Sequence, residues 1–85
     1  MAFFVYLVKC ADSTYYCGYT KDLDRRIKEH NQSGKGARYT RARRPVGLCY
    51  SEEFQTLSEA LKREYQIKKL SKIEKLNLIS SKNTK

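Results

Sequence analysis

Histidine and proline occur once each in this chain of 85 residues, and cysteine only three times. A single histidine, His30, cannot complete a zinc site of ordinary spacing. Cys10, Cys17 and Cys49 form an odd set without a CxxC pair, which argues against a metal or redox role. The thiols read as reduced core residues. Long apolar runs are also missing. The opening segment MAFFVYLVKC is apolar for too few positions to span a bilayer, has no positive leading stretch and runs directly into Lys9. It reads as a buried strand, and the protein as cytoplasmic with no membrane partner. No repeat or linker appears, which predicts one domain over residues 1–79 and a disordered tail over 80–85.

Acid is scarce. Nine Asp and Glu face 18 Lys and Arg, leaving a net charge of +9, and such an excess speaks to partners and solubility rather than to fold. A polyanion is the natural partner. Nucleic acid is favoured over a membrane surface because no basic amphipathic helix with a wide apolar face is present. An aromatic content of 12% argues against disorder. A chain this short buries about 60–65% of its unfolded surface, enough for one sheet and a few helices.

What is present orders itself readily. FFVYLVKC is a β-branched and aromatic run closed by the turn formers Asp12 and Ser13, and TYYCGYT returns as the second strand of a hairpin. Asp22 can cap a helix that begins at Leu23 and ends near His30. Residues 34–47 then carry Lys35, Arg38, Arg41, Arg43 and Arg44 without one acid, and their glycines and Pro45 predict a basic loop. VGLCYSEEF places Val46, Leu48 and Tyr50 on one face of a third strand. Thr56 with Glu59, and Ser71 with Glu74, stand at capping-box spacing and open two further helices. The expected fold is α+β: a small three-stranded antiparallel sheet flanked by helices in the order β-β-α-β-α-α.

Several residues break this pattern. At about 100° per residue, Arg26 and His30 border the stripe of Leu23 and Ile27, while Arg25 points away. In the second helix Glu64 falls in the middle of the face formed by Leu57, Ala60, Leu61, Tyr65 and Ile67, which is expected to pack on the sheet. A carboxylate there is costly unless it is paired, for example with Lys68 one turn on, or bound to a metal. Gly18 interrupts the second strand and suggests a bulge or a close approach of another group. Tyr6 and Tyr16 share a sheet face if the hairpin pairs Tyr6 with Gly18, and oppose each other if it pairs Tyr6 with Tyr19.

Together, FVY at residues 4–6, YCG at 16–18, the DRR of the first helix and ALKRE around Glu64 resemble the GIY-YIG nuclease domain, with the likeness running from residue 3 to about residue 70. The chain is similar to the small stand-alone bacterial members of that superfamily, whose function is unassigned. Phe4 replaces the first glycine and Cys17 the second isoleucine, both apolar substitutions, and Tyr19 stands where excision-repair relatives carry lysine. The resemblance implies a metal-dependent phosphodiesterase, an endonuclease acting on DNA in preference to RNA, with one Mg²⁺ or Mn²⁺. Carried over residue by residue, it implies active-site tyrosines at Tyr6 and Tyr16, a catalytic arginine at Arg26, a supporting histidine at His30 and the metal-binding carboxylate at Glu64. Other domains of the superfamily often depend on attached targeting modules, so the resemblance leaves room for a protein partner that supplies targeting. The competing expectation is a module that binds nucleic acid without cutting it. In that reading Lys35, Arg38, Arg41, Arg43 and Arg44 grip phosphates and Tyr39 stacks on a base.

Overall fold

The computed structural model of the protein describes residues 2–32 and 37–83. Strands β1 (Phe3–Lys9), β2 (Tyr15–Thr20) and β3 (Gly47–Phe54) form an antiparallel sheet in the order β2-β1-β3. Helices α1 (Leu23–Gln32) and α2 (Arg38–Arg41) connect β2 to β3, and α3 (Leu57–Lys68) and α4 (Lys72–Asn83) follow. The architecture is the expected α+β sandwich with one addition. Within the basic stretch read as loop, residues 38–41 close a single turn, α2, too short to be visible in a run rich in arginine and flanked by glycine and proline.

Helix starts follow the sequence signals. The Asp22 carboxylate accepts the amide of Arg25 at 3.1 Å. Thr56 Oγ1 accepts the Glu59 amide at 3.2 Å, and the Ser71 hydroxyl and Glu74 carboxylate satisfy each other's amides reciprocally. Helix α4 continues to Asn83, so residues 80–83, read from the sequence as disordered tail, are helical.

Strand β1 is central, and Val5, Tyr6, Leu7 and Val8 are all buried because both faces of the sheet are covered. Val5 and Leu7, with Cys17 and Tyr50, pack against Ala60 and Ile67 of α3. Tyr6, Val8, Cys10 and Val46 pack with Tyr16 against Leu23 and Ile27 of α1. The hairpin pairs Tyr6 with Gly18 and Val8 with Tyr16, which puts both tyrosines on the α1 face.

Two packing details depart from the sequence pattern. Opposite β3, Leu7 pairs with Tyr50 but Val8 with Leu48, so Cys49 is the extra residue of a β-bulge. The bulge reverses the alternation: Tyr50 joins the α3 face, Val46 the α1 face, and Leu48 is exposed. On α3 the buried residues are Ala60 and Ile67, with the half-buried Glu64 between them, rather than the larger apolar side chains. Leu57 and Leu61 are exposed and Tyr65 is 63% exposed, its ring covered by the Lys69 ammonium 4.2 Å from the centroid. A small residue at position 60 lets the helix approach the sheet, and that fixes the rotation.

Candidate active site

Tyr6 leaves the middle of β1 toward α1, and the opposed position in β2 is Gly18. A Cβ at Gly18 would lie 2.5 Å from the Tyr6 hydroxyl oxygen and 2.8 Å from Cζ. Glycine is required there by the approach of the tyrosine, not by a left-handed backbone. The hydroxyl so placed lies 2.7 Å from His30 Nε2 near the end of α1, and the Arg26 guanidinium one turn earlier is near enough to favour the ionised phenol against the effect of burial. The Tyr16 ring meets His30 edge-on, with centroids 5.4 Å apart. Four residues expected at the site, Tyr6, Tyr16, Arg26 and His30, are therefore one contiguous group on the α1 face.

Burial sets the electrostatics of this group. Desolvation pushes the Tyr6 phenol up to about 12, partly offset by Arg26. Desolvation, then the positive charge of Arg26, depresses His30 to about 4. At neutral pH the pair is a neutral phenol on a neutral imidazole. Arg26 holds Glu29 at 2.9 Å, whereas the Arg25 side chain is 74% exposed and 3.6 Å from the same carboxylate. The two adjacent arginines thus face different environments.

The basic segment divides as well. Arg38 and Arg41 on α2 are exposed and have no ion-pair partner among the described residues. Arg43 is engaged: its guanidinium sits 3.9 Å over the Tyr39 ring, donates to the Tyr39 carbonyl at 2.9 Å and lies 2.9 Å from Asp12 in an ion pair. Tyr39 in turn stacks on Tyr16 with centroids 5.9 Å apart, so a base stacking on Tyr39 competes with groups already there. Arg44 donates to the carbonyls of His30 and Glu29 at the α1 C-terminus, satisfying acceptors the helix leaves open. Lys35 lies outside the described residues.

Glu64 does not touch the tyrosine–histidine group. It belongs to the stripe of α3 that packs on the opposite sheet face, with its side chain 15% exposed and 3.4 Å from Lys68 Nζ. Its charge, after burial, is the main influence raising the neighbouring Cys17 thiol to about 11. Cys17 stands between Tyr16 and Gly18 on β2, an edge strand, so Glu64 reaches the same edge from beneath. No group of three or more His, Cys, Asp or Glu side chains among the described residues is placed to hold a metal ion. A single carboxylate such as Glu64 is the kind of hard donor that a Mg²⁺-type ion, which keeps several waters and takes few protein ligands, would accept.

Three residues of the site were not singled out by sequence reasoning. Glu29 holds Arg26, and its spacing of three from that arginine was the available signal. Asn31 forms a two-way clamp with Val46, accepting its amide at 2.7 Å and donating to its carbonyl at 2.9 Å, which ties α1 to the start of β3. Thr40, fully buried, lies 2.9 Å from His30 Nδ1, and nothing local in the sequence marks it.

Residues 2–77 match the family described as the GIY-YIG catalytic domain. A UPF0213 protein of Staphylococcus saprophyticus is 57% identical over 77 residues, covering 91% of this chain and 93% of that one. A UPF0213 protein of Staphylococcus aureus is 55% identical over 76 residues, 89% and 92% of the two chains. The solution structure of a UPF0213 protein from Bacillus halodurans superposes with a TM-score of 0.64 at 46% identity, covering 99% of this chain and 88% of that one. The solution structure of an E. faecalis protein gives 0.68 at 39% identity, with 100% and 90% covered. With a family match over nearly the whole length and relatives this similar, the chain belongs to the GIY-YIG family.

Proposed function

We propose that the protein is a divalent-metal-dependent endonuclease hydrolysing phosphodiester bonds in DNA, with branched or damaged structures as its substrates. The observation that carries this reading is the buried Tyr6–His30 hydrogen bond with Arg26 against the same hydroxyl. A core tyrosine needs only one partner. Here it has a potential proton acceptor on one side and a guanidinium on the other.

Phosphodiester hydrolysis places negative charge on phosphoryl oxygens in the transition state. Arg26, held by Glu29, presents a planar donor fork whose contacts strengthen as that charge grows. Tyr6 orients the attacking water and takes its proton while the phenolic proton passes to His30 Nε2, so one water O–H bond and one Tyr6 O–H bond break as two new ones form. At rest His30 is a weak base because of burial and Arg26. A substrate phosphate beside Arg26 offsets that cation and raises the basicity of the imidazole as binding occurs. Glu64 would hold one Mg²⁺ or Mn²⁺, with Lys68 displaced, and the ion would polarise the phosphate and stabilise the leaving oxygen. The stack of Tyr16 on Tyr39 keeps the group covered from the α2 side.

The adjacent arginines give the direct test. Arg26→Ala should lower turnover by on the order of a hundredfold or more, while Arg25→Ala, removing a largely exposed side chain, should change it far less. Equal effects would remove Arg26 from the reaction. A non-cutting nucleic-acid-binding module is the second reading, favoured by Arg38 and Arg41 on α2, exposed and without an ion-pair partner among the described residues. It takes over if wild type binds but cuts none of branched, flapped, single-stranded and duplex substrates with either metal.

A further inference from the structure

We infer that Thr40 is a positioning residue whose hydroxyl keeps the His30 proton on Nδ1, leaving the Nε2 lone pair aimed at Tyr6. The inference rests on the nuclease reading only for its effect on rate; the geometry stands without it.

Thr40 and His30 are both fully buried, so each proton in their network must find a protein acceptor. Thr40 Oγ1 lies 2.8 Å from the Ala37 carbonyl oxygen, and a carbonyl can only accept. The threonine proton must lie between those two oxygens, because without it they would face each other lone pair to lone pair. The same Oγ1, 2.9 Å from His30 Nδ1, is then left as an acceptor, and the proton on that axis must come from the ring.

The other end of the ring leads to the same assignment. The Arg26 guanidinium beside Tyr6 offers no acceptor for the phenolic proton. Gly18 opposite it has no side chain, so the phenolic proton is directed to His30 Nε2 at 2.7 Å. Protonation at Nε2 would leave that phenolic proton without a partner. One contact favours the opposite tautomer, the Ala37 amide pointing at Nδ1 from 3.4 Å. It is the longest of the set, and one long contact does not outweigh two short bonds with fixed direction.

The consequence is that α2 does more than carry basic residues. It turns back through Ala37 and Thr40 to fix which ring nitrogen can receive a proton from Tyr6. Removing the Thr40 hydroxyl while keeping its shape frees the ring to take the other tautomer, in which Nε2 donates to Tyr6 and cannot accept from it.

His30 is the only histidine in the chain, so ¹⁵N spectra of the imidazole in the full-length protein report one ring without assignment ambiguity. The expected wild-type pattern is Nδ1 protonated and Nε2 unprotonated at neutral pH, retained in Thr40→Ser and shifted toward the Nε2-protonated form in Thr40→Val. Cleavage should follow the spectra: kcat down by about tenfold or more in Thr40→Val with KM little changed, and restored in Thr40→Ser. A wild-type ring protonated on Nε2 overturns the inference, and needs no variant to fold. An unchanged pattern in folded Thr40→Val overturns it equally. If wild type cuts nothing, the nuclease reading fails while the ring spectra still decide the tautomer.

Discussion

The hydroxyl of Tyr6 and the Nε2 atom of His30 lie 2.7 Å apart, although 24 positions separate the residues in the chain. Strand β1 supplies one and the end of α1 the other, and Gly18 removes the side chain that would stand between them. Tyr6→Phe keeps the ring and deletes only the hydroxyl. It should leave the fold intact at a cost of about 1–3 kcal/mol, from the unpaired buried imidazole, and lower cleavage by about a hundredfold or more. Denaturant unfolding and single-turnover cleavage check the two parts separately.

The depressed His30 pKa gives stability a defined acid limb. Folded His30 titrates near 4 against an ordinary value of 6.5, so between those values the unfolded chain binds more protons than the folded one. Its contribution is fully present above pH 6.5 and is lost as the pH falls toward 4. The groups facing the ring include Tyr6, Arg26, Glu29 and Arg44. Unfolding free energies measured from pH 7 to 4 should fall less steeply in His30→Gln than in wild type. Parallel curves would mean that the imidazole is not held neutral by its site.

Gly18→Ala places a methyl group against Tyr6 and should destabilise the protein by about 1–3 kcal/mol, as overpacking does. In the double variant with Tyr6→Phe the 2.5 Å clash with the hydroxyl disappears but the 2.8 Å one with Cζ remains. Partial rescue is therefore expected in thermal unfolding of the four proteins of the cycle. Strict additivity would show that position 18 does not feel the tyrosine.

The basic segment should not act as a uniform patch. Arg38 and Arg41 are exposed on α2, whereas Arg43 is bound to Tyr39 and Asp12, and Arg44 to the end of α1. Each phosphate contact adds about −0.9 to the slope of log affinity against log salt on duplex DNA. Arg38→Ala with Arg41→Ala should then flatten that slope by about 1.8. Arg44→Ala should act mainly on stability, by opening the α1 C-terminus. Titrations at several salt concentrations, alongside unfolding, distinguish the two outcomes.

Much of this architecture was legible in the sequence because it is written in local signals. Alternation gave the strands, and capping residues such as Asp22, Thr56 and Ser71 gave the helix starts. The angle between Arg25 and Arg26 on one helix predicted which of them turns inward. What escaped was set by non-local packing. The bulge at Cys49 exists because β3 pairs with β1, and it put Tyr50 on the sheet face opposite Val46. The rotation of α3 was chosen by the small Ala60, while counting large apolar residues pointed to Leu61 and Tyr65. Thr40 lies ten residues from His30 in a run dominated by arginine, and only the turn of α2 brings the two together. Glu64 was legible as an anomaly, yet its position under the β2 edge, on the face opposite Tyr6, is a property of the sandwich.

The central claim is metal-dependent cleavage that requires Glu64, and cleavage and binding measured together on wild type and Glu64→Gln test it most directly. Branched, flapped, single-stranded and duplex DNA would each be incubated with Mg²⁺, Mn²⁺ or chelator, and binding followed in parallel. Wild type should cut at least one substrate only with a divalent ion, and Glu64→Gln should bind it as well or more tightly, having lost a negative charge, but not cut it. Cleavage by Glu64→Gln equal to wild type, or cleavage undiminished by chelator, would contradict the account.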